Sequence, residues 1–383
     1  MRSRPASKQA SRPASKPARK TDSAPPTLAG LRAQIDAINL DLLRLLNDRG
    51  RLCVEVGRLK HSDGTPIYQP GRVREVIDRM LAQNTGPLSG EQVRAIFTEI
   101  MSAGMALEQD LRVAFLGPEH TYSHQAARRQ FGSSAVFVPE ASFAEVFQAL
   151  ENGRADLGVV PVENSTEGTV TLTLDLLIDT PLAIVGEILL PIRHALLSLS
   201  GDPGAILRIV SHQQSLAQCR GYIAANYPGC ELEAVASNAL AAKRAAEDPA
   251  CAAIASVDAA AAYGLKVIAE NIQDLAHNTT RFVVIGKHPE GRSGADKTTA
   301  VFAVRHKVGA LHEVLGLFAG NAVNVSKIES RPMRSRPWEY LFFVDLAGHR
   351  EDPKLKRALA ALERKTLFLK VLGSYPEARP LAE

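Results

Sequence analysis

Long apolar runs are what this sequence most plainly lacks. No stretch of its 383 residues approaches the ~20 consecutive apolar residues of a membrane-spanning helix, so no membrane partner is expected. Cysteine is scarce: Cys53, Cys219, Cys230 and Cys251 are scattered without metal-type spacing, which argues against a zinc module or a disulfide scaffold and suits reduced thiols in the cytoplasm. No glycine-rich nicotinamide fingerprint and no phosphate loop occur, so no cofactor is expected. Charge of one sign is nearly missing too. Lys and Arg number 45 against 41 Asp and Glu, and residues 1–27 alone carry a basic surplus of six, which leaves the remainder slightly acidic. The basic pI therefore reports a tail, and nucleic acid is not an expected partner.

That tail repeats Ser3-Arg4-Pro5-Ala6-Ser7-Lys8 as Ser11-Arg12-Pro13-Ala14-Ser15-Lys16. It has no apolar core for a secretory signal. Rich in Pro, Ser and charge, it cannot bury enough apolar surface to offset the entropy of ordering, so 1–27 is read as disordered. The rest is long enough for two or three domains.

From Leu28 to Lys60, Leu31, Ile35, Ile38, Leu42, Leu45, Leu46, Leu52, Val56 and Leu59 recur at steps of mostly three and four, the period of one long amphipathic helix. A second helix is predicted over Gly71 to Gln83, and a third from the N-cap Ser89 to about Asp110. Three helices with one this long cannot close a core alone and call for a partner chain. After Arg112 the pattern changes to short β-like runs alternating with helical stretches, including Val113 to Leu116, Leu157 to Val160 and Phe282 to Ile285, which reads as α/β with two lobes. Beyond the Gly291-Arg292-Ser293-Gly294 linker, the order βαββαβ predicts an α+β ferredoxin-like unit.

Several separate motifs fall along this frame: Gly117-Pro118-Glu119-His120-Thr121-Tyr122-Ser123, Pro161-Val162-Glu163-Asn164-Ser165, Ser211-His212-Gln213-Gln214-Ser215-Leu216, and Asn278-Thr279-Thr280-Arg281-Phe282. Read in order they resemble the prephenate dehydratase family, and Gly309-Ala310-Leu311-His312 with Glu329-Ser330-Arg331-Pro332 resembles the phenylalanine-contact segments of the ACT domain fused to such enzymes. The helical front resembles the all-helical chorismate mutases. The boundaries implied are 28–111 for the mutase, 112–288 for a two-lobed dehydratase like periplasmic binding proteins, and 297–383 for the sensor.

By resemblance, Arg32, Arg49, Lys60, Arg72 and Glu108 are the mutase's substrate-binding and catalytic groups. At ~1.5 Å per helical residue, Arg49 and Lys60 lie about 16 Å apart on nearly one face, whereas Arg32 lies about 25 Å beyond Arg49 and would serve a second protomer's site. A Claisen rearrangement of chorismate needs only a held conformer and charge stabilised on the breaking ether oxygen, which Lys60 and a protonated Glu108 can supply. Val73 stands where the family usually has a Glu that contacts the substrate hydroxyl, and Gln69 replaces a common acidic residue.

For the dehydratase, resemblance makes Thr280 the donor to the departing ring hydroxyl and Arg281 the carboxylate anchor, with Thr121, Asn164 and Ser165 lining the cleft. Glu163 is a second candidate acid or a turn residue, and His212 is either structural or in contact with substrate. His120 stands where the family usually has Gly, and Gln213 where it has Pro. His120 and His124 lack a third ligand, so no metal is expected. The implied whole is a homodimeric or larger cytoplasmic enzyme. It converts chorismate to prephenate and prephenate to phenylpyruvate under phenylalanine inhibition. A dehydratase with a decayed mutase, or a noncatalytic amino-acid sensor, are the alternatives.

Overall fold

The computed structural model describes residues 27–63, 66, 68–333 and 340–378. Nearly all of the tail read as disordered, and two residues of the expected Gly64-Thr65-Pro66 helix stop, lie outside them. The chain divides after Arg49 into two compact units.

Helix α1 (Leu28–Asp63) realises the long apolar period. In the first unit its front half leaves Leu31, Ile35, Ile38, Leu42, Leu45 and Leu46 exposed. The second unit begins with the rest of α1, then α2 (Pro70–Gln83) and α3 (Gly90–Glu108). Pro70 opens α2, where its missing N–H costs nothing. Ser89 caps α3 reciprocally with Gln92.

The two-lobed region follows. Its first lobe holds β1 (Arg112–Leu116), α4 (Tyr122–Phe131), β2 (Val136–Glu140), α5 (Phe143–Glu151), β3 (Leu157–Asn164), β4 (Gly168–Thr169), α6 (Thr171–Asp179) and β5 (Ala183–Pro191). The chain then crosses into β6 (Ala195–Ser198), β7 (Arg208–His212), α7 (Gln213–Gln218), α8 (Arg220–Asn226), β8 (Glu231–Val235), α9 (Asn238–Glu247), β9 (Cys251–Ala255), α10 (Val257–Tyr263) and β10 (Lys266–Glu270), and returns as β11 (Thr279–Gly286). The first sheet has the order β2-β1-β3-β11-β5, with β4 on β3, and the second β10-β6-β9-β7-β8. Strand β11 runs antiparallel between β3 and β5, inside the first sheet and next to its edge strand.

The C-terminal unit is β12 (Asp296–Ala303), α11 (Ala310–Gly320), β13 (Val325–Pro332), β14 (Tyr340–Ala347), α12 (Pro353–Glu363) and β15 (Phe368–Pro376), an antiparallel sheet of order β13-β14-β12-β15. Its helices cover one face through Phe302, Val314, Phe318 and Leu362. The other face shares a single apolar cluster with the first lobe, in which Val301, Phe343 and Tyr375 meet Leu177, Ile184 and Val283. That cluster removes from water several large side chains worth roughly 1.5–3 kcal/mol each. Arg74 of α2 donates to the carbonyls of Ala295 and Glu377, tying the helical segment to the same unit.

Candidate active sites

In the helical segment Lys60 Nζ lies 2.9 Å from Glu108 Oε2, with the glutamate side chain 7% exposed. The approach depends on Gly57, where a Cβ would stand 3.0 Å from both Cα and Cβ of Glu108. Arg72 is turned instead to Glu75 on its own helix, at 2.6 Å. Arg32 is exposed and Arg49 half-buried, both in the first unit. Val73 requires a correction. Its side chain packs against the apolar cluster of Tyr68, Leu111 and Phe131, so it is an anchor of α2 on the first lobe rather than an empty place beside a substrate.

The two-lobed region gathers a connected polar network around Thr280. Strand register sets Asn164 of β3 opposite Thr280 of β11. Asn164 Nδ2 donates to Thr280 Oγ1 and to Asn278 Oδ1, each at 2.8 Å, while its Oδ1 accepts from the backbone and hydroxyl of Thr166 and the backbone of Glu167. Asn278 donates to Gln218 Oε1 at 2.9 Å; Gln218 in turn meets His194 and donates to Thr166, so the network bridges both lobes. Burial lowers the His194 pKa, keeping the ring neutral, and its other nitrogen meets the Tyr122 hydroxyl at 2.9 Å. Among these bonds Thr280 is only an acceptor. Among the described residues nothing accepts its hydroxyl hydrogen.

The other expected cleft residues hold the backbone in shape. Thr121 caps α4, accepting from His124 N–H while donating toward the Leu116 and Pro118 carbonyls. Ser165 donates to the His277 carbonyl and accepts from Thr279 N–H, fastening β3 to the start of β11. His212 caps α7 through Nδ1. His120 sits in the left-handed region at φ 65°, the conformation that Gly adopts without strain.

Arg281 is the main correction. Successive strand residues face opposite sides of a sheet, so with Thr280 turned to Asn164, Arg281 turns away. Its guanidinium meets Glu187 at 2.8 Å, Asp345 at 2.5 Å and the Tyr375 hydroxyl at 2.9 Å. Burial works against that charge, yet Tyr375, Asp345 and Glu187 outweigh it and push the arginine pKa up. The void beside it is about 20 Å³, room for about one water and far too small for a substrate. Glu163 faces the same way, 2.7 Å from Lys327 and 3.9 Å from Arg281.

On the C-terminal unit Gly309 caps α11 at φ 78°, Ala310 is buried, and Leu311 packs on the helix-side core. Register on β13 separates the second expected effector segment. Ser330 pairs with Phe342, whose side chain packs on the helix-side core, and Pro332, two residues on, shares the face of Ser330. Glu329 and Arg331 face the first lobe. Arg331 donates to Asp175 at 2.5 Å and to the Thr171 carbonyl, which assigns it to the contact between units rather than to an effector.

Comparison with known proteins joins these regions. Family models match residues 31–109 as chorismate mutase type II, 113–290 as prephenate dehydratase and 298–364 as ACT domain. The bifunctional chorismate mutase/prephenate dehydratase of Aquifex aeolicus is 43% identical over 355 residues, 92% of this chain and 98% of that protein. The chain belongs to the bifunctional chorismate mutase/prephenate dehydratase family. Isomerase and lyase are the activities that name carries. The prephenate dehydratase of Arthrobacter aurescens, solved in complex with L-Phe, superposes with a TM-score of 0.65 at 36% identity, covering 71% of this chain and 92% of that one. A quorum quenching acylase, GqqA, superposes at 0.64 with 32% identity over 70% of this chain and 98% of its own.

Within this family member, sequence reading passed over Gln218, His194, Thr166 and Tyr122 as network residues. Asn278 was visible only as the neighbour of Thr279 and Thr280. Gln218 lies two residues beyond the motif that ends at Leu216, and Tyr122 lies inside a recognised motif with nothing local to mark its contact to His194; His194 carries no local signal, because tertiary contacts alone bring it in. A cavity of about 390 Å³, the larger described, lies elsewhere, among Lys60, Tyr68, Arg112, Lys287 and Glu290.

Proposed function

We propose that Thr280, held by Asn164, donates the hydrogen bond that makes the ring hydroxyl of prephenate a leaving group. The Thr280 hydroxyl, whose hydrogen no described residue accepts, beside a fully bonded Asn164 carries this reading. With one proton taken up overall, the C–O bond breaks to release water as the C–C bond to the ring carboxylate breaks to release carbon dioxide. Its electron pair completes the aromatic ring of phenylpyruvate. A donor aimed at charge that develops only in the transition state is worth ~10² to 10³ in turnover. The two lobes close over the substrate as binding-protein lobes do, and Gln218 and Asn278 complete the bridge.

In the preceding step Lys60 and Glu108 stabilise the breaking ether of chorismate, and Arg32, Arg49 and Arg72 hold carboxylates. A second protomer covers the exposed apolar stripe of α1, giving a homodimer or larger homo-oligomer. Phenylalanine is the effector, bound through Gly309, Ala310, Leu311, Ser330 and Pro332, while Glu329 shares the lobe-facing side of β13 with Arg331. The working boundaries are 28–111, 112–288 and 297–383, and the protein acts in the cytoplasm. No described helix is long and apolar enough to cross a membrane. Incubating purified protein with chorismate and following prephenate and phenylpyruvate tests both reactions. Absence of phenylpyruvate from supplied prephenate sinks the dehydratase assignment.

A further inference from the structure

Two ladders of side chains run back to back through β3 and β11. On one face Asn164 meets Thr280; on the other, their chain neighbours Glu163 and Arg281 meet Lys327 and Asp345 of the ACT sheet. The second ladder is a largely buried charge set in which Arg281, Lys297 and Lys327 face Glu163, Glu187 and Asp345, with the exposed Glu377 also on Lys297. Glu187 is 1% exposed and Arg281 12%, so removing one charge leaves another uncompensated in a dry place.

We propose that the Lys327–Glu163 and Asp345–Arg281 pairs set the positions of Asn164 and Thr280, making Glu163 and Arg281 positioning residues for dehydration through which phenylalanine acts. The last clause rests on the reading of the ACT domain as a phenylalanine sensor. Glu163 and Asn164, like Arg281 and Thr280, share a peptide plane and are pinned by the same β3–β11 ladder, so a shift of the strand at Glu163 or Arg281 carries Asn164 or Thr280 with it. A close-packed interior transmits it rather than absorbing it. Strand β13 supplies the sensor's end of the lever, because it carries Lys327 toward β3 and Ser330 on the opposite face. The same geometry explains why Arg281 adjoins Thr280 without sharing its cleft.

The test uses full-length protein with Lys327→Met, Lys327→Arg and the exchange Lys327→Glu with Glu163→Lys. These side chains lie at the rim of the charge set, 21% and 36% exposed, where folding survives substitution. Lys327→Met lowers dehydratase kcat by roughly threefold to tenfold with KM nearly unchanged, less than the ~10² of an ångström-scale misplacement. It still binds phenylalanine by calorimetry but is inhibited less at saturation, and its mutase rate equals the parent's. Lys327→Arg and the exchange restore kcat and inhibition. Parent kcat and parent inhibition in Lys327→Met overturn the proposal, as does a lowered kcat that Lys327→Arg fails to restore. If the parent itself binds no phenylalanine, the sensor reading fails separately, and the kcat comparison alone decides the positioning role.

Discussion

Asn164 donates to Thr280 across the β3–β11 register at 2.8 Å, and the same amide group's oxygen accepts three further hydrogen bonds. A side chain so committed cannot swing, so the threonine hydroxyl it holds is fixed in direction. Thr280→Val removes the donor while keeping the shape. Dehydratase kcat should fall ~10² to 10³ with KM little changed, and the mutase rate serves as the folding control. Dehydration at the parent rate would mean that another group supplies the hydrogen bond.

Gly57 and Glu108 make the analogous contact in the mutase. A methyl group at Gly57 would meet the Glu108 backbone at 3.0 Å, and the backbone cannot step aside as a flexible side chain would. Overpacking of this kind costs ~1–3 kcal/mol, offset by at most about 1 kcal/mol of helix propensity. Gly57→Ala should therefore move Glu108 from Lys60 and cut mutase kcat/KM about tenfold or more, an effect of the size expected for a misplaced group. Dehydratase turnover should hold. Parent mutase activity in the alanine variant would remove the close approach from the mechanism.

How much of this was legible in the sequence follows from where the constraint lies. The long helix, its Ser89-capped neighbour and the βαββαβ order were readable because apolar period and capping are local. Strands β2, β8 and β10 were not, and all three are sheet edges. Edge strands face water on one side and carry charge or proline, here Pro139, Glu231, Glu233, Lys266 and Glu270, which cut their apolar runs to three residues or fewer, Val136 to Val138 in β2 and Val267 to Ala269 in β10. Thr280 was legible from its motif. Its separation from Arg281 was legible in principle, since two adjacent strand residues cannot face one cleft. The partner of Arg281 was not, because Asp345 is 64 residues away. Gln213 shows the converse: it occupies the first turn of α7 after an extended His212, a position that Pro also fits.

Val73 invites a substitution whose outcome the structure reverses. Sequence resemblance suggests that Val73→Glu would supply a missing hydroxyl acceptor and raise mutase activity. The side chain instead packs on the cluster of Tyr68 and Phe131, where a carboxylate loses water without gaining a partner. Val73→Glu should lower stability by roughly 1–3 kcal/mol and leave mutase kcat/KM no higher than the parent's. Thermal unfolding and chorismate kinetics measure both, and a gain in kcat/KM would place the side chain in the mutase site after all.

Glu290 links pH to stability at the junction of the modules. Burial raises its pKa from the ordinary 4.5 to about 7, partly countered by the hydrogen bond it accepts from Gly71 N–H at the start of α2. Between those values the unfolded chain has shed a proton that the folded chain keeps, so this group's contribution to stability falls as pH rises from about 4.5 to 7 and is then constant. Glu290→Gln retains an acceptor for Gly71 but has no charge to bury. His61, Lys60, Lys287, His288, Arg112 and Tyr68 line the same cavity with Asp110 and Asp156, and all are present in both proteins, so their titration largely cancels in the comparison. The variant's Tm relative to the parent should therefore climb between pH 5 and 7 and stay above the parent's at pH 8. A Tm difference that is the same at pH 5 and pH 8 would show that Glu290 is ionised in the folded protein throughout, and that burial does not control it.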